Sequence, residues 1–335
     1  MGKAIDLNNK KIIISRTDSI GDVMLTLPIC AWLKKQFPSV YIIFLGKGYT
    51  KPIVEAYDQV DVYLDWNDYE GLPKAEQIEK LEAIGADAII HVFPNKEIAS
   101  LAKKAKIQYR VGTSHRAFHL LTCSHRVNFT RKNSNFHEAQ LNHELLRPFG
   151  LNALPSLDEV IATTERFKIP NVVLPPEFTA LKELTILHPK SQGSAREWPI
   201  EKYISLANEL AEGGKTVVFT GTDKEGGLFR TLIPEHEKII DSTGKLTLEQ
   251  LMVFIASAKN LVACSTGPLH IAGSLGVNTV GLFSPRRPIH PGRWRALGPN
   301  VNILVKDEAC PTCAQKKECN CIEQISVEAV KDVLK

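Results

Sequence analysis

Long apolar runs are missing from this chain of 335 residues. No stretch reaches the roughly 18 to 20 apolar residues that a membrane-spanning helix needs. The first residues carry no signal-peptide pattern, so we expect a cytoplasmic protein. Low-complexity tracts are also absent, and a composition of 44% hydrophobic and 23% charged residues is typical of a folded globular protein. Because a domain usually holds about 100 to 200 residues, the length predicts two domains.

The fingerprint G-x-G-x-x-G is absent from the first predicted strand-to-helix turn, which offers Gly21 alone. A nicotinamide-dependent oxidoreductase is therefore a poor interpretation of this chain. The second half also lacks an Asp-x-Asp motif of the kind that holds a divalent metal beside a sugar nucleotide.

Acidic residues are missing between Arg110 and Lys132, a segment that carries eight arginine, lysine and histidine side chains. The net charge of the whole chain is only +4, which is too small to indicate nucleic acid as a partner. Two interpretations of the segment stay open. It either binds an anionic partner or is a solvated basic loop.

Short apolar segments alternate with helical patterns in both halves of the chain. This alternation predicts two Rossmann-like α/β domains, each with a parallel sheet. Three prolines between Phe167 and Phe178 are typical of a linker. We therefore predict a first domain over residues 1–168, a second over residues 177–322, and a final helical segment over residues 323–335 with Ser326 as the N-cap.

Asp22 follows the first predicted strand and stands where a helix begins. Ligands of open α/β sheets bind at this edge, so a carboxylate here could act as a general base on an acceptor hydroxyl. The alternative is that Asp22 merely stabilises the helix N-terminus through its dipole.

Three further polar turns follow predicted strands of the second half. His188 to Pro199 carries Lys190 and Arg196, whose charges could neutralise a diphosphate. Phe219 to Glu225 ends on an acid that could accept hydrogen bonds from a ribose. In the third turn, Ser265, Thr266 and Gly267 precede a helix that contains His270, and its backbone N–H groups could bind phosphate. Each turn by itself could equally be a structural cap or surface loop.

Four of the seven cysteines, Cys310, Cys313, Cys319 and Cys321, lie close together in the pattern C-x2-C-x5-C-x-C. The second pair has one intervening residue, whereas zinc sites usually have two to four. We therefore favour a structural cluster of thiols over a metal site.

These turns together resemble glycosyltransferase family 9, the bacterial ADP-heptose:lipopolysaccharide heptosyltransferases. The resemblance covers nearly the whole chain. It rests on Gly21-Asp22-Val23 with Thr26-Leu27-Pro28, Arg196-Glu197-Trp198-Pro199, Thr220-Gly221 with Glu225, and Ser265-Thr266-Gly267-Pro268-Leu269-His270.

The resemblance implies a GT-B fold, with two Rossmann-like domains facing a cleft and the C-terminal helix crossing back onto the N-terminal domain. It implies an enzyme that transfers heptose from ADP-heptose to the lipopolysaccharide inner core with inversion, binding the acceptor through its N-terminal domain and the donor through its C-terminal domain. No metal or cofactor is expected, since cations and a helix N-terminus can stabilise the leaving diphosphate. The enzyme would be cytoplasmic or peripheral at the inner membrane.

Residue roles follow from the same resemblance. Asp22 matches the proposed catalytic base and Glu225 the ribose-binding acid. The donor phosphates would be bound by Lys190, Arg196, Ser265, Thr266, Gly267 and His270. Inner-core lipopolysaccharide is anionic, so Arg116, Arg126 and Arg131 are candidate acceptor-binding residues.

One departure leaves alternatives open. Several heptosyltransferases have Asp where this sequence has Ser265, which bears on the identity of the donor sugar. The chain could instead use another nucleotide sugar for a different surface glycan, or it could bind a nucleotide sugar without catalysis.

Overall fold

The computed structural model describes residues 3–132, 134–181, 183–315 and 317–335. The chain divides into two compact units, residues 1–167 and residues 168–335. Each unit is built around a sheet of six parallel strands. In the part of the chain that is described, no helix is long and apolar enough to cross a membrane.

The first sheet has the strand order β3-β2-β1-β4-β5-β6. The chain therefore starts in the middle of the sheet, builds outward to one edge and then to the other. Its strands are β1 (Lys11–Ser15), β2 (Tyr41–Gly46), β3 (Val62–Asp65), β4 (Ala88–His91), β5 (Tyr109–Thr113) and β6 (His125–Val127).

Helices connect these strands. They are α1 (Ile20–Met24), α2 (Pro28–Gln36), α3 (Lys51–Glu55), α4 (Lys74–Glu82), α5 (Lys96–Lys104), α6 (Ala117–Thr122), α7 (Glu138–His143) and α8 (Leu157–Ala162). Short 3-10 helices cover Gly48–Thr50, Trp66–Asp68, Glu144–Phe149 and Thr163–Arg166. Capping residues determine where several helices begin. Asn95 accepts hydrogen bonds from two N–H groups at the start of α5, and Ser156 forms a capping box with Glu159 at the start of α8.

The apolar spacing from Gly21 to Phe37 predicts one helix, but the structure has two. Proline at the first position of α2 lacks an N–H group and favours the start of a helix over its interior. The break makes α1 a short helix that carries Asp22 in its first turn.

The second sheet repeats the same topology, in the order β12-β11-β10-β7-β8-β9. Its strands are β7 (Thr185–His188), β8 (Val217–Phe219), β9 (Ile239–Asp241), β10 (Asn260–Cys264), β11 (Asn278–Leu282) and β12 (Val301–Leu304). Its helices are α9 (Pro176–Thr179), α10 (Ile200–Glu212), α11 (Asp223–Gly226), α12 (Leu248–Ser257), α13 (Gly267–Ser274), α14 (Pro291–Trp294), α15 (Pro311–Ala314) and α16 (Val327–Lys331), with 3-10 helices at Arg230–Leu232 and Ile322–Gln324.

A ladder of asparagine amides crosses the beginnings of three strands of the second sheet. Asn302 donates to Asn278 at 3.0 Å, and Asn278 donates to Asn260 at 2.7 Å. Because Asn278 both accepts from Asn302 and donates to Asn260, the ladder satisfies buried amide groups and links β10, β11 and β12. We call these three residues the asparagine ladder.

The last helix packs within the second unit. Val327 and Val330 of α16 lie in the same apolar core as Tyr203 and Leu206 of α10. Lys331 also forms an ion pair with Glu209 of α10 at 2.6 Å. The apolar face of α16 is thus buried on its own unit, and burial of apolar area is the dominant stabilising term in such packing.

This packing gives a stability prediction. Val330 is fully buried, so Val330→Ala should lower the free energy of unfolding by about 2 kcal/mol through lost apolar burial and the cavity that remains. Denaturant unfolding and amide exchange in α10 would measure the loss. Val173→Ala is the matched control because Val173 is 86% exposed. Equal behaviour of the two variants would show that α16 does not stabilise the second unit.

Candidate active site

In the first unit, the strand order reverses between β1 and β4. Open α/β sheets bind ligands at the carboxyl ends of strands where the order reverses in this way. Ser15 ends β1 and lies in register with His91, which ends β4. Arg16 and the short helix α1 with Asp22 follow directly after Ser15. The fold therefore places Asp22 beside the expected ligand-binding edge of this sheet.

A buried guanidinium organises the acids at this edge. Arg16 is only 4% exposed, and it contacts Asp18 at 2.6 Å and also Asp22. Glu138 lies 3.9 Å from the same guanidinium. Arg131 closes the cluster by donating to Glu138 at 2.9 Å. We call these five residues the Arg16 cluster. Three carboxylates thus share two guanidinium groups.

Both carboxylate oxygens of Asp22 have hydrogen-bond donors. Arg16 donates to one oxygen, and the hydroxyl of Ser19 donates to the other at 2.5 Å. Ser19 is exposed, so its hydroxyl can rotate away at little cost. A substrate hydroxyl could then occupy the same position on Asp22, which is the geometry that a general base requires.

The Arg16 cluster changes the acidity of Asp18. Burial raises the pKa of Asp18 to about 6, and the nearby charge of Asp22 acts in the same direction, while the Arg16 guanidinium opposes both. A carboxyl with this pKa changes its charge within the range where most enzymes work. Asp18 is therefore an acid of the site that sequence reasoning did not single out.

Buried polar atoms without partners lie next to the Arg16 cluster. The hydroxyl of Ser15, both ring nitrogens of His91 and Nε2 of His119 find no hydrogen-bond partner among the described residues. Burial lowers the pKa of His91 to about 3, so its ring is neutral at physiological pH. Because most buried polar atoms are hydrogen-bonded, such atoms without a protein partner are candidates to bind a ligand or ordered water. The only sequence signal for Ser15 and His91 was their position at the ends of adjacent strands.

The three arginines predicted to bind the acceptor have different surroundings. Arg116 and Arg126 are exposed. Arg131 instead donates to Glu138 and to Asn142, at 2.9 and 3.0 Å. Arg131 is thus held within the Arg16 cluster, whereas Arg116 and Arg126 are the exposed members of the set.

In the second unit, the predicted donor turns follow adjacent strands. The strand order reverses between β7 and β10, and β8 lies on the other side of β7. The loop with Lys190 and Arg196 follows β7, Glu225 lies after β8, and the turn with Ser265 follows β10. The sheet therefore brings the donor-binding candidates to one edge.

Glu197 organises the loop after β7, a role that sequence reasoning missed. One of its oxygens accepts a hydrogen bond from Lys190 at 2.9 Å, and the other accepts from the backbone and hydroxyl of Ser191. These donors lower the pKa of Glu197 although burial acts to raise it. Arg196 is directed differently and donates to the backbone carbonyl of Cys319.

The turn after β10 is built like an anion site. Thr266 is the N-cap of the eight-residue helix α13, but its side chain makes no capping hydrogen bond. Its hydroxyl is buried and finds no partner in the described part of the chain. Proline at position 268 removes one donor, which leaves the N–H groups of Gly267 and Leu269 in the first helical turn. An anion at this helix N-terminus could accept from these N–H groups and from the Thr266 hydroxyl.

Glu225 forms a capping box with Thr222. One carboxylate oxygen, Oε2, accepts from the backbone and the hydroxyl of Thr222 at 2.7 and 2.8 Å. The neighbouring His188 bonds Thr220 at 3.0 Å. The capping box fixes the orientation of Glu225, and its second oxygen is the one that could accept from a ribose hydroxyl.

The four clustered cysteines converge in space. Their sulfur atoms all lie within 4.8 Å of one another, and in the described residues they are the one group of three or more His, Cys, Asp or Glu side chains able to hold a metal. All four are free thiols. The single residue between Cys319 and Cys321 therefore does not prevent the four sulfur atoms from lying close enough to share one metal ion.

Comparison with known proteins identifies the family. The model of glycosyltransferase family 9 (heptosyltransferase) matches residues 76–323. A Haemophilus influenzae protein provisionally named as a glycosyltransferase is 27% identical over 332 residues, covering 95% of this chain and 94% of that protein. Lipooligosaccharide heptosyltransferase 2 of Haemophilus influenzae is 23% identical over 297 residues, covering 83% and 84%.

A solved structure shares the fold. The structure of Escherichia coli ADP-heptose lipopolysaccharide heptosyltransferase II has a TM-score of 0.72 and 17% sequence identity, and the match covers 97% of both chains. The two parallel six-stranded sheets and this structural likeness show the GT-B fold, and the family match makes the protein a glycosyltransferase. More narrowly, the chain belongs to glycosyltransferase family 9, because the family model spans well over half of it. The resemblance seen in the sequence motifs is thus confirmed.

The raised pKa of Asp18 predicts a pH-dependent stability. The folded state binds the Asp18 proton more tightly than the unfolded state, whose pKa lies near 3.8. This contribution is fully present below that value and is lost as the pH rises through about 6. The unfolding free energy of the natural protein should therefore fall relative to that of Asp18→Asn between about pH 4 and 6, by roughly 1 to 3 kcal/mol.

Denaturant unfolding at several pH values would measure this difference. Asp68→Asn is the control because the Asp68 side chain is exposed. If the difference between Asp18→Asn and the natural protein were independent of pH, Asp18 would have an ordinary acidity.

Proposed function

We propose that this glycosyltransferase transfers a heptose from ADP-heptose to the lipopolysaccharide inner core with inversion at the anomeric carbon. Membership of the heptosyltransferase family supports the reaction class. The name of the structurally similar Escherichia coli enzyme supports ADP-heptose as donor and lipopolysaccharide as acceptor. The enzyme would act in the cytoplasm or at the inner surface of the inner membrane, where both substrates are present.

The observation that carries this proposal is the position of Asp22. Its carboxylate lies beside the expected ligand-binding edge of the first sheet, held by Arg16 and by the exposed hydroxyl of Ser19. We infer that the acceptor hydroxyl displaces Ser19 and that Asp22 removes its proton. The acceptor oxygen forms a bond to the anomeric carbon as the bond from that carbon to the ADP oxygen breaks. One displacement of this kind inverts the anomeric centre.

The second unit would bind the donor. The first turn of α13 and the Thr266 hydroxyl would receive a phosphate, and Lys190 and Arg196 would offset its charge. Glu225, oriented by its capping box, would accept from the ribose. His270 lies buried in α13, three residues after Gly267, and would join Ser265 and Gly267 in binding the donor phosphates. We propose that the two cations and the hydrogen-bond donors of this turn take the place of a divalent metal at the diphosphate. The departing ADP needs only to have its negative charge stabilised.

Ser265 supports a second candidate. Because several heptosyltransferases carry Asp at this position, the protein could use another nucleotide sugar for a different surface glycan. A binding panel that compares ADP-, UDP- and GDP-sugars would separate the two. Tightest binding of a UDP- or GDP-sugar would overturn ADP-heptose as the donor.

Incubation of the protein with ADP-heptose and truncated lipopolysaccharide acceptors tests the main proposal. ADP release and the mass of the product measure transfer. Asp22→Asn should lower kcat by about 100-fold to 10,000-fold, because a positioned general base contributes on this scale. Donor affinity should stay unchanged, since Asp22 lies in the first unit.

The control for this experiment is Asp158→Asn, which changes an exposed acid of the same unit. Undiminished transfer by Asp22→Asn would remove Asp22 as the base. A protein that binds ADP-heptose but releases no ADP with any acceptor would be a non-catalytic binding protein.

Acceptor binding gives a separate prediction. Neutralising exposed Arg116 and Arg126 together should raise the KM for the anionic acceptor severalfold and leave the KM for the donor unchanged, with a smaller effect at high salt. Arg131→Gln should instead lower stability, because it leaves the buried carboxylate of Glu138 without its closest cation. Steady-state kinetics and thermal unfolding measure the two effects. An unchanged acceptor KM in the double variant would exclude Arg116 and Arg126 from acceptor binding.

A further inference from the structure

We propose that Cys310, Cys313, Cys319 and Cys321 bind a single divalent ion, Zn²⁺ or Fe²⁺, as four thiolates, and that this ion fixes the position of Arg196. We call these four residues the cysteine site. The position of the metal ion follows from the cysteine geometry alone. Its effect on donor binding rests on the proposed function of Arg196.

The sulfur positions fit a tetrahedral ion. Cys310 and Cys319 have sulfur atoms 3.4 Å apart, those of Cys313 and Cys321 are 3.9 Å apart, and those of Cys319 and Cys321 are 2.8 Å apart. Metal–sulfur bonds of about 2.3 Å in a tetrahedron place sulfur atoms about 3.8 Å apart. The observed distances lie on both sides of this value. Shifts of about 1 Å would therefore complete the coordination.

Local structure explains how an unfavourable spacing produces this arrangement. Cys310 is the N-cap of α15 and Cys313 lies within that helix, so the two sulfur atoms lie at one end of the same turn. Cys321 is the N-cap of the 3-10 helix Ile322–Gln324. The chain turns here, and the sulfur atoms of Cys319 and Cys321 lie close together. The single residue between Cys319 and Cys321 is thus accommodated by a turn in the chain.

Burial and the surroundings favour a metal over plain thiol packing. Cys310, Cys313 and Cys321 are each less than 10% exposed, yet the buried cluster that they form contains only cysteines. A cluster so small contributes little apolar burial, so an ion would supply the stabilisation that a core normally gives. Ser284 lies 3.5 Å from the sulfur of Cys313, within reach to donate to a bound thiolate.

The cysteine site is hydrogen-bonded to the loop that follows β7 and carries Lys190 and Arg196. Arg196 donates to the backbone carbonyl of Cys319, which is itself one of the proposed ligands. Four thiolates and one divalent ion carry a net charge of −2, which also attracts the guanidinium. The bound ion would hold the Cys319 carbonyl in place and so orient Arg196. Without it, Arg196 would lose its fixed partner and bind donor phosphate less tightly.

Elemental analysis of the full-length protein as purified tests the metal. We expect about one zinc or iron ion per chain, with the ratio of the two elements and a thiolate-to-iron absorption band identifying which is bound. The double variant Cys313→Ser with Cys321→Ser should lose at least nine-tenths of the metal. Cys123→Ser, which changes a buried thiol outside the site, should retain it. Disulfides among the four cysteines, or metal retained by the double variant, would overturn the proposal.

A second measurement covers the case in which the double variant does not fold. Metal is removed from the natural protein with a chelator, and Co²⁺ is then titrated into the reduced protein. Thiolate-to-cobalt absorption should rise to an end point at about one equivalent. No such absorption, or no end point near one equivalent, would contradict a tetrathiolate site.

The link to Arg196 is tested by ADP binding. Removal of the metal should weaken ADP binding about tenfold in the natural protein, and Arg196→Gln should cause a similar loss by itself. In Arg196→Gln, metal removal should have no further effect, because the two changes act on one interaction. A further tenfold loss in that variant would overturn the link. Failure of every form to bind ADP would instead refute the proposed donor, while the metal content still decides the cysteine site.

Discussion

The first unit depends on one interaction, the contact of the buried Arg16 guanidinium with the acids around it. Arg16 follows β1 at the point where the strand order reverses, and it contacts both Asp18 and Asp22. Buried charges are tolerated only when they are paired, so the acids of this edge can be present because Arg16 is there. Burial of Asp18, reinforced by the charge of Asp22 and opposed by Arg16, raises its pKa so that a proton is retained up to about pH 6.

In the second unit the charges are reversed: a negative group is central and hydrogen-bond donors surround it. There a carboxylate, Glu197, is the central group, and Lys190 and Ser191 donate to it. Its edge is rich in donors, including the buried hydroxyl of Thr266, whereas the edge of the first unit is rich in acids. Two sheets of identical topology have therefore acquired different chemistry solely through the residues that follow their strands. Such a division suits a reaction in which one substrate loses a proton and the other releases an anion.

Sequence reasoning located the strand ends from apolar runs. Knowing the strand ends was sufficient to propose Asp22 and the turn at Thr266 as candidate site residues. Sequence reasoning failed for partners distant in sequence: Glu138 lies more than a hundred residues from Arg16, and no local pattern connects them. Local pattern also gave no partner for the last helix, whose apolar face packs against α10, far earlier in the chain. Cysteine spacing alone could not locate the four sulfur atoms, because turns, which the spacing rule ignores, determine where they meet.

The asparagine ladder has a consequence for how this enzyme can change. It joins β10, β11 and β12 at their beginnings, whereas the turn with Ser265 and Thr266 lies at the opposite end of β10. Strand register is thus secured far from the residues that would contact a sugar nucleotide. Substitutions in the turn can accumulate without loosening the sheet beneath it. A family with this arrangement can acquire new donor preferences by small steps, each compatible with a folded protein, and Ser265 is the kind of change that such freedom permits.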